Sequence, residues 1–144
     1  MSRIGRFLSR SRTEKRLFFG SVLLVPIVRI GLAVLGFQRM RRWLDKRSGA
    51  DAAGSDATPE IVEWAVQSVA KRTLYDKPCL TQSLVVSHHL RRAGYDPVIR
   101  FGVRKSGEAL DAHAWVELNG EVVSGGRRAP EIYTPLTSLD ELTL

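Results

Sequence analysis

An Asn-Gly pair at 119–120, set between alternating segments, constrains this chain more than any other feature. Both central residues of a two-residue type I′ turn need positive φ, which Asn and Gly adopt at low cost. The pair therefore calls for an antiparallel hairpin, with 112–118 as one strand and 121–124 as its return. Residues 97–104 alternate with Val98 and Arg100 on one face and Ile99 and Phe101 on the other, which predicts a further strand. Residues 105–111 read as a polar loop, 125–130 break the pattern, and Ile132-Tyr133 reads as a short edge strand before Pro135.

Helical patterns precede the strands. Thr58-Pro59-Glu60 supplies an N-cap, a first helical residue and an acidic first turn. Ile61, Trp64, Ala65 and Val69 then share a stripe that Val62 and Val66 widen, so Trp64 reads as core. Lys71-Arg72 suits the C-terminus of that helix. Tyr75-Asp76-Lys77-Pro78 is a turn-like entry to a second helix from Cys79 to Arg92, with Leu80, Leu84, Val85 and His88 on one stripe and Gly94 as the stop. Within it, His88 is expected half-buried and His89 solvated; no second pair at ligand spacing makes them a metal site. Helices followed by clustered antiparallel strands define an α+β domain, placed at 58–144.

Charge is distributed unevenly. The net +7 of the 144 residues would suggest nucleic acid or an anionic surface. Residues 1–47 hold twelve Lys and Arg against Glu14 and Asp45, a balance of +10; the remainder holds ten basic and thirteen acidic residues, a balance of −3. The domain itself is mildly acidic, and no nucleic-acid partner is expected. Inside the basic arm, 17–37 is an apolar run interrupted by Pro26 and Arg29. Three readings compete for it. A signal peptide fits the charged start but lacks a small-residue cleavage site. A membrane span has the required length of about 20 residues, but Arg29 would cost roughly 2.5–3.5 kcal/mol and both flanks are basic. The third is a pair of helices, broken near Pro26, that pack on the domain or lie in an anionic membrane surface. Residues 48–57, small and polar, read as a linker.

The chemistry rests on two residues. Cys79 is the only cysteine, so no internal disulfide forms, which fits a reducing compartment and a cytoplasmic protein, membrane-associated if the arm binds lipid. Placed at a helix N-terminus, a thiol meets unpaired N–H groups and the helix dipole, which favour the thiolate. His113 stands alone in a strand pattern, at a rim from which a ring can reach that terminus. Helix-borne Cys followed by strand-borne His is the minimal arrangement of papain-like and transglutaminase-like thiol catalysis, and the first N–H groups of the helix can receive an oxyanion. No cofactor motif accompanies the pair.

Four segments carry a more specific resemblance: Cys79-Leu80-Thr81-Gln82-Ser83-Leu84, Leu90-Arg91-Arg92-Ala93-Gly94-Tyr95, Phe101-Gly102-Val103-Arg104 and Ala112-His113-Ala114-Trp115-Val116-Glu117. Together with Tyr133-Thr134-Pro135-Leu136 they resemble the stand-alone transglutaminase-like leader peptidase of lasso-peptide biosynthesis. The resemblance implies a cysteine peptidase that removes the leader from a ribosomally made precursor, with Cys79 as nucleophile and His113 as general base. It also implies a small leader-recognition protein and an ATP-consuming macrolactam synthetase as partners. The family often places an Asp where this chain has Gly125, so the third catalytic position is open; Ser124, Asp111 and Glu117 lie near in sequence. Two other classes compete: a non-catalytic transglutaminase-like module that binds a peptide, and a membrane-surface adaptor whose function lies in the arm.

Overall fold

A computed structural model describes residues 9–47, 57–73 and 79–136. Among the described residues nine elements follow one another: α1 (Arg12–Leu35), α2 (Phe37–Arg47), α3 (Pro59–Thr73), α4 (Cys79–Arg92), β1 (Val98–Ser106), β2 (Ala109–Leu118), β3 (Glu121–Ser124), α5 (Ala129–Ile132) and β4 (Thr134–Pro135). The strands form one antiparallel sheet in the order β3-β2-β1-β4. Most of the 48–57 segment, the Tyr75-Asp76-Lys77-Pro78 turn and the chain ends lie outside the described residues. Ala57, last in the expected linker, is buried.

Helix α4 is the centre of the molecule. From Ser83 to Leu90 every side chain is buried, because α1, α3 and the β2 face surround it. Leu84, Val85, Val86 and Leu90 join Val62, Val66 and Val69 of α3 and Val116 of β2 in one core. The α3 start follows its sequence signals, with the Thr58 hydroxyl accepting from the Ile61 N–H at 3.3 Å. The α4 stop does too: Gly94 takes φ +91 and the Tyr95 N–H returns to the Leu90 carbonyl. Trp64 departs from expectation. It is half-buried and stacks on Phe18 of α1 at 6.0 Å, so it seals the helix layer at its edge instead of filling the core.

The arm is part of that core. Ser21, Val25 and Val28 of α1 and Met40 and Leu44 of α2 are buried against the domain. The expected break at Pro26 is absent: α1 runs through it and stops at Gly36, whose φ of +82 starts a new helix direction. Pro26 faces solvent, and the packing of Val25 and Val28 on either side outweighs the lost hydrogen bond. His89 also departs from expectation. It is buried, and its Nε2 meets the Ser21 hydroxyl at 3.1 Å, joining α4 to α1 through a polar pair inside the core. A helix enclosed on all sides has no solvated stripe, so its 3.6-residue pattern misplaced this ring.

In the sheet, Asn119 and Gly120 take φ +52 and +84, the geometry of the expected hairpin turn. The polar 105–111 loop is instead strand: β1 and β2 stay paired out to Ser106↔Ala109 around Gly107-Glu108. Both faces of that projecting end meet solvent, which removes the apolar alternation that marks a strand. Ile132-Tyr133 is not a strand either. A single helical turn, Ala129–Ile132, with Pro130 at its start, precedes β4, which pairs Thr134 and Pro135 with β1.

Candidate active site

Cys79 is the first residue of α4 and half-buried. Burial pushes its thiol up. The hydrogen bond with His113, the Ala114 N–H, the imidazole's charge and the Leu80 N–H together outweigh burial and hold the thiol below its ordinary value. The Ala114 N–H is available because β3 leaves the sheet early. The last β2–β3 pair is Val116↔Ser124, with a bulge between Val116 and Glu117, and Ala114 lies two residues beyond it. The Cys79 thiol thus lies beside the open edge of β2, at the start of the most buried helix.

His113 sits on β2 opposite Gly102. Its Nε2 lies 2.6 Å from the Gly125 carbonyl oxygen. A carbonyl only accepts, so Nε2 carries the proton and Nδ1 is the nitrogen left to take the thiol proton. The Cys79 hydrogen bond leads the interactions that raise the imidazole's basicity; burial opposes it, and the Gly125 carbonyl and the charges of Cys79 and Asp111 add to it. A lowered thiol beside a raised imidazole shifts the pair in the direction that thiol chemistry needs, toward thiolate and imidazolium.

The ring is fixed by stacking as well as by that carbonyl. Tyr133 lies over it at 4.9 Å and Trp115 at 6.2 Å, both near parallel. Two glycines make this stack possible. A Cβ on Gly102 would come within 2.7 Å of Tyr133 and 2.9 Å of Trp115. A Cβ on Gly125 would come within 2.7 Å of the Trp115 Cβ, and Gly125 has φ +98. The Asp that the resemblance places at this position therefore does not fit here without a shift of Trp115 or of the backbone.

The side chains near in sequence do other work. Asp111 accepts from Arg104 Nε and from the Tyr133 hydroxyl, each at 3.3 Å, which anchors the stacking ring. Glu117 pairs with Arg100 at 3.1 Å. Among the described residues the Ser124 hydroxyl is buried without a hydrogen-bond partner. His88 and His89 lie along α4 beyond Ser83, and no three His, Cys, Asp or Glu side chains converge as a metal set among the described residues.

A cleft of about 360 Å³ opens over the pair, walled by Glu63 and Gln67 of α3, Gln82 of α4 and Gly126. Glu63 was not legible as a site residue, because it flanks the Val62 and Val66 stripe and reads as helix surface. Its partner at i+4, Gln67, was the available signal: two hydrogen-bonding side chains on one face beside a buried stripe. Burial pushes the Glu63 carboxyl up and Ser124 opposes it, and among the described residues Oε2 has no hydrogen-bond partner.

The family model described as transglutaminase-like superfamily matches residues 22–138. No curated protein and no solved structure matches the chain. The matched span runs from within α1 through Cys79, His113 and β4, and the chain belongs to the transglutaminase-like superfamily, which includes cysteine peptidases.

Proposed function

We propose that the protein is a cysteine peptidase that removes the leader from a lasso-peptide precursor before macrolactam formation. The observation that carries this reading is the activated pair: Cys79 with a lowered thiol at a helix start, hydrogen-bonded to a His113 whose other nitrogen is held by a backbone carbonyl. The resemblance of the segments around both residues to the stand-alone leader peptidases supplies the substrate class. Cys79 Sγ attacks the scissile carbonyl carbon. The first N–H groups of α4 receive the developing oxyanion. His113 then passes its proton to the leaving amine as the C–N bond breaks. Water, deprotonated by His113, attacks the thioester and releases the leader carboxylate along with the free thiol. The amine left on the core peptide is the group that an ATP-consuming macrolactam synthetase would join to a carboxylate. A small leader-recognition protein would present the precursor to the open cleft, in the cytoplasm. An activated thiol has no use in a module that only binds peptide, and this favours the peptidase over that alternative.

The test is incubation of the purified chain with a synthetic lasso precursor, with and without a leader-recognition protein, followed by mass spectrometry. Leader and core masses should appear with the native chain and be absent with Cys79→Ala. An uncut precursor, with a leader-recognition protein present and Cys79 still rapidly alkylated, would overturn the assignment of substrate.

A further inference from the structure

Helix α1 has two apolar faces, and the fold uses one. Ser21, Val25 and Val28 form the inward face and are fully buried. Arg12, Arg16, Phe19, Leu23, Ile27, Ile30 and Val34 recur at spacings of three and four and form a second stripe, every member of which is exposed. The apolar part spans about 22 Å of helix at the usual rise. Its side chains are 46–75% exposed, from Ile27 to Val34, with Val22 and Leu35 beside them. A continuous apolar ridge of this length on a soluble domain marks an interaction surface.

The surrounding charge says what the surface meets. Arg12 and Arg16 continue the stripe toward the N-terminus, Arg29 adjoins Ile30, and Arg39 and Arg42 follow on α2. All five are exposed and make no ion pair among the described residues. We infer that this outward face of α1 seats in the headgroup region of an anionic lipid bilayer, with the helix lying along the surface. The length and composition of α1 would also suit a membrane span. A span is excluded by the inward face, since crossing would draw Ser21, its bond to His89 and the packed α3 and α4 into hydrocarbon. A second copy of the chain is disfavoured because it would bring two segments of +10 charge together, whereas anionic headgroups offer the opposite sign to a convex apolar ridge. The membrane would then hold the domain by its arm and leave the peptidase chemistry to the cleft; the inference does not depend on the peptide substrate.

The full chain is sedimented with vesicles of phosphatidylcholine alone and of phosphatidylcholine mixed with phosphatidylglycerol, at low and high salt. Binding to the anionic vesicles is expected, with loss on the neutral ones and weakening at high salt. Leu23→Glu with Ile30→Glu should weaken binding by about 100-fold or more while leaving circular dichroism and Cys79 alkylation unchanged. Arg12→Gln with Arg16→Gln, which leaves the ridge intact, should weaken it by about 30-fold. The second pair keeps the inference testable if the glutamates disturb folding. Absence of binding to anionic vesicles would overturn the inference. So would a native dimer that Leu23→Glu with Ile30→Glu converts to monomer without altering vesicle binding. Capture of a protein partner by the ridge in place of vesicles would do the same.

Discussion

Acidification should unfold this protein through His89. The ring is 7% exposed, and burial, reinforced by the charges of His88 and Arg92, pushes its pKa from 6.5 down to about 3. Above pH 6.5 the ring is neutral in both folded and unfolded chains and contributes nothing to pH dependence. Between 6.5 and 3 the unfolded chain binds a proton that the folded chain refuses, so stability falls as the pH falls through that window. The loss amounts to about 2 kcal/mol at pH 5 and about 4 kcal/mol at pH 3. Against a typical total of about 5–15 kcal/mol this is a large share. His88 is also pushed down, by burial and Arg92 with Leu44 and Asp45 opposing, so the native chain alone does not isolate one ring. His89→Gln keeps a polar group for the Ser21 hydroxyl but cannot titrate. Urea unfolding followed by circular dichroism at pH 7.5 and 5.0 supplies the comparison. The variant should lose about 2 kcal/mol less than the native chain over that interval. Parallel losses in the two proteins, within about 0.5 kcal/mol, would refute the argument that this buried ring resists protonation.

Alkylation of Cys79 by iodoacetamide, followed against pH, should show its inflection below that of a free thiol, and His113→Ala should move the inflection upward, since the hydrogen bond and charge that oppose burial are gone. Peptidase activity should be lost with Cys79→Ala and fall by about 10²–10⁴-fold with His113→Ala in the precursor assay. Gly125→Ala and Gly125→Asp should both lower kcat, because a side chain at φ +98 costs about 1–3 kcal/mol and meets Trp115; a faster Gly125→Asp enzyme would show that the carbonyl is not what orients His113. Tyr133→Ala should reduce kcat more than it changes KM by freeing the imidazole, whereas Tyr133→Phe keeps the stack and loses only the bond to Asp111, so its kcat should fall far less.

The parts of this structure visible in the sequence are those set by local rules. Thr58, Gly94 and Asn119-Gly120 act within a few residues, and each element boundary they announce is present. Cys79 and His113 were legible as partners because a helix start and a strand rim are local placements, even though their meeting is not. What was illegible depends on enclosure or on backbone. His89 looks solvated by spacing until α1 covers α4. Glu63 is an ordinary surface residue until β3 ends beside it. The group that holds His113 left no trace, since a main-chain carbonyl is present at every residue and only the bulge at Val116/Glu117 aims this one.

That carbonyl has a genetic consequence. Where a carboxylate orients the histidine, one codon change deletes the third member of the triad and a scan of single substitutions finds three essential positions. Here the orienting atom survives every codon change at 125, and what a substitution there alters is the path of the chain. On the proposed peptidase reading, a scan of side chains would register a dyad, and the third function would surface only as intolerance to bulk at a glycine or to a one-residue deletion in 121–124 that shifts the register. Inspection of side chains for a missing acid would class such a site as defective, although the hydrogen bond in question is made.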